Sequence, residues 1–284
     1  MVKSIDWNQV WRDEYNKNLA CRFNRDWVSE WTQKENAKSF LKCSEENPER
    51  IRNVIEKLQV TPASSVLDIG SGPPGTLAVP LAGVAGHVTA VEPSAGMLEV
   101  MEEYARKNEV SNIDILQKRW EDVDVKEDLG RKYDVVTACY SLCLPDIHSA
   151  IESMCQASSD SCHIFWFAGV TGWERAMNDL WPLLHEKSYC CDPKADVLYN
   201  VLYSMGIYPD VQSYVINHSR KYDTIDSAVH DLKSQYCADS EEKQDTLRNY
   251  LLRQKTADWD GIEIGGAVNH VHFSWKVSPS DGGV

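Results

Sequence analysis

The sequence predicts an α/β fold: a mostly parallel seven-stranded sheet flanked by helices, with an inserted helical cap. Three observations carry that expectation. Short apolar runs alternate with stretches of helical spacing between residues 65 and 167, the rhythm of βαβ units. The first run ends in a glycine bend that opens into a helix. The last apolar stretch alternates with a period of two, as a strand does.

The elements follow in order. Asn47-Pro48-Glu49 reads as a helix start, a capping side chain followed by proline at the first helical position. Ile51, Val54, Ile55 and Leu58 keep helical spacing until Pro62 stops the run. Strands are expected over 65–69, 87–91, 113–116, 133–138 and 163–167. Between them fall helices over 76–85, from the Ser94 cap onward, and from Pro145-Asp146 to Met154. Beyond residue 167 the rhythm changes. Helices are expected over 173–185, 193–205 (Asp192 as cap, Gly206 as stop), 223–237 and 240–255, with one strand at 211–216. In the final strand Ala267, Asn269, Val271, Phe273 and Trp275 alternate with Val268, His270, His272, Ser274 and Lys276. That pattern is expected of a strand with one buried face at a sheet edge. The division is therefore 1–60, N-terminal helices acting as a lid; 61–170, a ligand-binding core; 171–262, a helical cap with one core strand near 208–218; 263–277, the terminal core strand; and 278–284, a flexible tail.

Composition narrows the function. The 284 residues carry a formal net charge of −14, with 43% hydrophobic and 25% charged residues. An acidic surface without a Lys/Arg run repels phosphate backbones, which argues against nucleic acid as a partner. The longest apolar run, 164–170, is far short of the roughly 20 residues a membrane span needs. The first residues lack the apolar stretch of a signal peptide. Nine cysteines without a CxxC pair read as reduced thiols in a cytoplasm, with no zinc site. Oligomeric state is not legible.

Gly70, Gly72 and Gly75 form GxGxxG between a strand and a helix, which first reads as a dinucleotide site. A diphosphate is held there by backbone N–H groups. Positions 73 and 74 are both proline, which has no N–H to offer. Asp68 ends the strand with a carboxylate suited to a cation. A sulfonium nucleoside with an α-amino group loses nothing at the prolines and gains from Asp68. Glu92, at the end of the second strand, lies where an acid takes ribose hydroxyls in either kind of site.

These residues carry a resemblance. The segment from Val66 to Gly75, VLDIGSGPPG, resembles motif I of class I S-adenosylmethionine-dependent methyltransferases. The segment from Val91 to Leu98, VEPSAGML, resembles their second motif; Trp120-Glu121-Asp122-Val123 the third; and Tyr133 to Ser141 the fourth strand and its exit. The N-terminal part is more loosely similar to the small-molecule "type 11" group. The resemblance implies a Rossmann-like sheet with its last strand antiparallel, and S-adenosylmethionine as cofactor. It implies that Asp68 and Gly70, with Ser71, Gly72 and Pro73 of the bend, serve the methionine moiety. Glu92, followed by Pro93 and Ser94, would take the ribose. Met97 would pack on adenine, the Trp120 amide and the Glu121 or Asp122 carboxylate would read its edge, and Cys139 and Tyr140 would lie beside the sulfonium. Arg119 departs from the family, which often has an acid there; a guanidinium accepts no hydrogen bond.

The expected chemistry is in-line methyl transfer to a small molecule, driven by alignment and exclusion of water. Tyr140 is the candidate for orienting the reactants, and His148 for a base. Trp7, Trp11 and Tyr15 are expected to close over the cofactor, and Trp173 and Tyr203 to line the acceptor pocket. His270 and His272 share a strand face without a third metal ligand. Cys190-Cys191 adjoin a turn and are a candidate for a thiophilic substrate, and the cysteine count leaves a minor case for a thiol or metalloid acceptor. A NAD-dependent oxidoreductase and a non-catalytic S-adenosylmethionine-binding protein are the alternatives. The acceptor itself is not legible.

Overall fold

A computed structural model describes residues 5–26, 28–29, 32, 34–46, 48–72, 77–254 and 261–277. The expected helix cap Asn47, the helix start at Thr76, and Pro73, Pro74 and Gly75 of the bend lie outside the described residues.

Ahead of the sheet come α1 (Trp7–Cys21), α2 (Lys34–Glu46) and α3 (Pro48–Leu58). The βαβ rhythm then appears as β1 (Ser65–Ile69), α4 (Ala78–Ala82), β2 (His87–Val91), α5 (Ala95–Lys107), β3 (Ile113–Leu116), β4 (Tyr133–Cys139), α6 (Ile147–Ala157) and β5 (Ser158–Phe167). Local chemistry sets several of these starts. The Ser94 hydroxyl accepts from the Met97 amide, and Asp146 accepts from Ser149, so each orphan amide of a first turn finds an acceptor. β5 starts five residues before the 163 expected from apolar content, because its first residues are serines and an aspartate, held by pairing with β4 and by side-chain bonds such as those of Ser159 and Ser161 to Asp134.

Beyond β5 come α7 (Gly172–His185), α8 (Ala195–Ser204), β6 (Asp210–Asn217), β7 (Arg220–Tyr222), α9 (Ile225–Leu232), α10 (Glu241–Leu252), β8 (Ile262–Ile264) and β9 (Ala267–Lys276). The start of α7 is a capping box: the Thr171 hydroxyl accepts from the Glu174 amide while the Glu174 carboxylate accepts from Thr171. The expected Asp192 cap of α8 is a correction, since Lys194 holds that position and makes no side-chain cap. Gly206 does end α8, at φ +75.

The main sheet has seven strands in the order β3-β2-β1-β4-β5-β9-β6. Every pair is parallel except those of β9, which runs against both β5 and β6. This is the mostly parallel, Rossmann-like sheet with an antiparallel last strand. One detail is corrected. β9 is not an edge strand: it lies between β5 and β6, and both of its faces are largely buried. The exposed edge falls to β6. A short second sheet, β7 paired with β8, was not foreseen.

Two cores sandwich the sheet. Trp11 of α1, Ile151 of α6 and Leu198 of α8 pack on one face with Val136, Trp166 and Phe273. Val54 of α3, Leu81 of α4 and Met101 of α5 pack on the other with Val66, Val88 and Phe165. In a third core Trp181 and Leu180 of α7 meet Val229 of α9, Leu247 of α10, Ile262 of β8 and Cys21 of α1.

Candidate functional site

Parallel strands end on one side of the sheet, and their carboxyl ends are where open α/β sheets bind ligands. β1 delivers Asp68 there. It is 1% exposed, and neither carboxylate oxygen has a hydrogen-bond partner among the described residues. Burial, with Glu92 adding repulsion, pushes its carboxyl up to about 8. Burying an acid without a partner is costly.

The bend that follows is shaped for close approach. Gly70 stands at φ +63 and Gly72 at φ +62. A Cβ on Gly70 would lie 2.4 Å from the Ser141 Cβ, so the bend presses against the exit of β4. The Ser141 hydroxyl donates to the Ile69 carbonyl and holds the two together. Gly70 and Ser71 donate their amides to the Val91 carbonyl.

Glu92 ties the second strand to the bend. Its Oε2 accepts from the Gly72 amide at 2.9 Å and its Oε1 from the Ser94 amide at 2.9 Å. Burial raises its carboxyl, and these two donors oppose the rise. A carboxylate has about four lone-pair sites, so both oxygens retain room for hydroxyl donors. Pro93 and Ser94 connect Glu92 to α5.

The residues expected at adenine fall into two groups. Met97 is buried against Ala37 and Val100, with Leu41 of α2 packed on them. Trp120 is in the core and its indole donates to the Ala150 carbonyl. Glu121 and Asp122 share its turn, a single 3-10 helix over Trp120–Asp122. Arg119 pairs with Asp26, beyond the end of α1, at 2.5 Å. The hydrogen bond to Asp26 raises the guanidinium further. Burial pushes the Asp26 carboxyl up, but the bonds from Arg119 and Ser29 outweigh it and leave it low. The departure at position 119 is thus a strap between the N-terminal segment and the turn after β3. Tyr15 lies near the same charges.

At the exit of β4, Cys139 is held protonated by burial, its thiol pushed up to about 12. Tyr140 has φ +59, a left-handed conformation that a residue with a Cβ adopts at a cost of about 1–2 kcal/mol. The turn sends its ring across the sheet end, where it stacks on Phe167 at 4.8 Å between centroids. Its hydroxyl lies 2.6 Å from His270 Nδ1 and 3.0 Å from the Tyr214 hydroxyl. Trp173 meets the edge of Phe167 at 5.0 Å.

Other expected residues stand elsewhere. His148 lies on the surface of α6, its side chain 41% exposed, 3.7 Å from Glu152, with its amide bonded to Asn8. Tyr203 is 56% exposed and packs against Tyr208, on the α8 side away from Tyr140. Both are corrections: helical spacing put them on helices but not on the site. Trp11 is also a correction, since it is fully buried, bonded to the Leu144 carbonyl and tilted on Trp166 as part of the core. Trp7 packs beside it. His270 and His272 do not converge: His272 pairs with His163 at 3.0 Å, and His270 with Tyr140 and His218. Cys190 offers its carbonyl to Asn18. The reading from sequence missed Tyr214 and His218. Tyr214 lies in β6 and His218 directly follows it, four residues on, and that even spacing was the signal available.

Comparison with known proteins agrees with this geometry. Residues 66–159 match the family model of a methyltransferase domain. An uncharacterized protein of Haemophilus influenzae is 34% identical over 104 residues, which are 37% of this chain and 37% of that protein. The match thus spans little more than a third of that relative's length. In fold, the chain is similar to a candidate methyltransferase from Bacillus halodurans C-125 (TM-score 0.57, 12% identity, 81% of this chain and 100% of the other). It is also similar to the YcgJ protein of Bacillus subtilis (0.53, 15%, 80% and 98%) and to coclaurine N-methyltransferase bound to N-methylheliamine and S-adenosylhomocysteine (0.50, 16%, 95% and 94%). The domain match is thus confined to residues 66–159, and the chain shares the fold of these solved structures. No helix among the described residues is long and apolar enough to cross a membrane.

Proposed function

We propose that the protein transfers the methyl group of S-adenosylmethionine to a small-molecule acceptor at the carboxyl ends of β1, β4 and β5. The observation that carries this reading is Asp68, a buried acid with no hydrogen-bond partner among the described residues, in a sequence whose glycine segment has two prolines in place of phosphate donors. Two neighbouring acids, Asp68 and Glu92, suit an α-ammonium group and not a diphosphate, Asp68 giving up its proton as it pairs. S-adenosylmethionine, when bound, supplies a methyl group already activated on a sulfonium, so alignment carries most of the catalysis.

The chain's own residues divide the work. Asp68 would pair with the ammonium, and Ser71 and Gly72 would border the amino-acid moiety. Glu92 would accept from the ribose hydroxyls with the lone pairs that the Gly72 and Ser94 amides leave. Glu121 or Asp122 would read the adenine edge, and the Arg119–Asp26 strap would close that end. Tyr140 and Phe167 would flatten the acceptor against the reacting atoms, and Trp173 would shield them from water. The net charge of −14 favours a small molecule over a nucleic acid. The described cysteines are free thiols, which suits a cytoplasmic setting.

Calorimetric titration with S-adenosylmethionine and, separately, with NADH tests the reading. S-adenosylmethionine is expected to bind with micromolar or better affinity and NADH not measurably. Tight NADH binding without S-adenosylmethionine binding would overturn the proposal.

A further inference from the structure

Four side chains at the mouth of the sheet form one hydrogen-bonded file. From β6 the Tyr214 hydroxyl lies 3.0 Å from the Tyr140 hydroxyl; that hydroxyl lies 2.6 Å from His270 Nδ1; and His270 Nε2 lies 2.9 Å from His218 Nε2. We propose that this file is a proton relay that draws the proton from a planar aromatic hydroxyl acceptor at His218 and releases it at Tyr214. The proposal rests on the methyl-transfer reading above.

Placement gives the relay its direction. His218 follows the last residue of β6 and so sits at the carboxyl end of that strand, with the edge of Trp173 at 6.0 Å. Trp173, Phe167 and Tyr140 continue from it as half-buried rings, a wall suited to a flat aromatic molecule. The backbone of His218 is pinned: its amide donates to Gly266, and a Cβ on Gly265 would lie 1.9 Å from its carbonyl oxygen. Tyr214 lies four residues deeper, within β6, under the Lys57 ammonium of α3. One end of the file thus faces the acceptor wall and the other the flank of the sheet.

The file balances for one proton. At the start His218 Nδ1 is bare, and each group donates toward Tyr214: His218 Nε2–H to His270, His270 Nδ1–H to Tyr140, Tyr140 to Tyr214, Tyr214 to water. A proton arriving on His218 Nδ1 shifts each hydrogen one place along, and one proton leaves to water. All four groups are neutral before and after. Burial favours those forms, since it pulls His218 down to about 4 and His270 to about 3, and holds both tyrosines protonated. The charges facing the file are Arg50 of α3, 5.9 Å over the Tyr140 ring, Lys57, and Arg220 of β7. All are cationic. They disfavour an ammonium acceptor and support the negative charge that an aromatic oxygen acquires as it loses its proton.

Two measurements test this, with 2-naphthol as probe and naphthalene as the control without a hydroxyl. First, 15N spectra of histidine-labelled protein are recorded in the presence of S-adenosylhomocysteine. 2-Naphthol is expected to fix His218 in the form with bare, hydrogen-bonded Nδ1, and naphthalene to leave its tautomers unchanged. No binding of 2-naphthol, or the same spectrum with both compounds, would overturn the relay. Second, transfer of labelled methyl to 2-naphthol is followed in His218→Asn and Tyr214→Phe. Rates are expected to fall about 100-fold and about tenfold, with a reduced solvent deuterium isotope effect and S-adenosylmethionine affinity within twofold of wild type. Undiminished rates, or transfer confined to amines, would overturn it. Failure of the wild type to bind S-adenosylmethionine would overturn the methyl-transfer reading and the relay with it, whereas binding with an unchanged histidine spectrum would overturn the relay alone.

Discussion

A carboxylate buried without a donor works against the fold that holds it, and Asp68 has none among the described residues. Its value comes with the ligand. Replacing Asp68 with Asn keeps shape and removes charge, so S-adenosylmethionine affinity is expected to fall about 100-fold or more, as for truncation of a buried charge pair worth 2–5 kcal/mol. The free protein should melt no lower than wild type, because the variant discards an unpaired acid. Calorimetry and thermal denaturation check the two halves; unchanged affinity would show the cation site to be elsewhere. With its carboxyl raised to about 8, Asp68 must also shed a proton to meet an ammonium at neutral pH. Affinity should therefore rise with pH up to about 8, and titration in buffers of different ionisation enthalpy should register close to one proton released near pH 7. Asp68, Gly70 and Glu92 were legible from sequence because spacing after a strand nearly determines their place. Tyr140 was legible as a strand-exit residue, but its φ of +59 and its histidine partner were not.

The N-terminal helix shows where element-level reading failed. Trp7, Trp11 and Tyr15 share an apolar stripe, and a stripe declares that something covers it without saying what. In the fold that partner is the core around Trp166, reached through β5 and α6. Trp11→Ala is accordingly expected to destabilise the protein by about 3–5 kcal/mol, the usual cost of emptying a large buried aromatic site. A loss under about 1 kcal/mol in denaturant unfolding would restore Trp11 to a lid. The movable contact is the strap further on. Arg119 and Asp26 are both about one-third exposed, so their pairing contributes at most about 1 kcal/mol to stability. Arg119→Ala should leave unfolding nearly unchanged and speed S-adenosylmethionine dissociation several-fold in stopped-flow measurements. An unaltered dissociation rate would remove the strap from the site.

Across the whole molecule, burial of titratable groups sets opposing pH dependences. The four histidines 163, 218, 270 and 272 are pulled from 6.5 to about 4, 4, 3 and 3, burial being the leading cause in each. Groups with depressed basic character favour the fold fully above 6.5, and that contribution is lost as pH falls toward their folded values. Asp68 has the reverse sign. Its raised value favours the fold below about 3.8 and withdraws that support as pH climbs to about 8. Urea unfolding of the free protein should therefore show stability dropping steeply from pH 6.5 to pH 4 and declining gently toward pH 8. S-adenosylmethionine should abolish the alkaline decline by pairing Asp68. A flat profile below pH 6.5 would mean that the histidines are not buried as described.

The sequence alone determined the strand–helix rhythm, the glycine bend and the acids at the ends of β1 and β2, because those features arise within one βαβ unit and its local capping. Tertiary structure decided the rest: that β9 slips between β5 and β6, that Trp11 is core, and that Tyr140, Tyr214, His218 and His270 meet in a file. Those residues lie up to 130 positions apart, and pairing across such distances depends on strand order and sheet-face burial, which no local periodicity encodes.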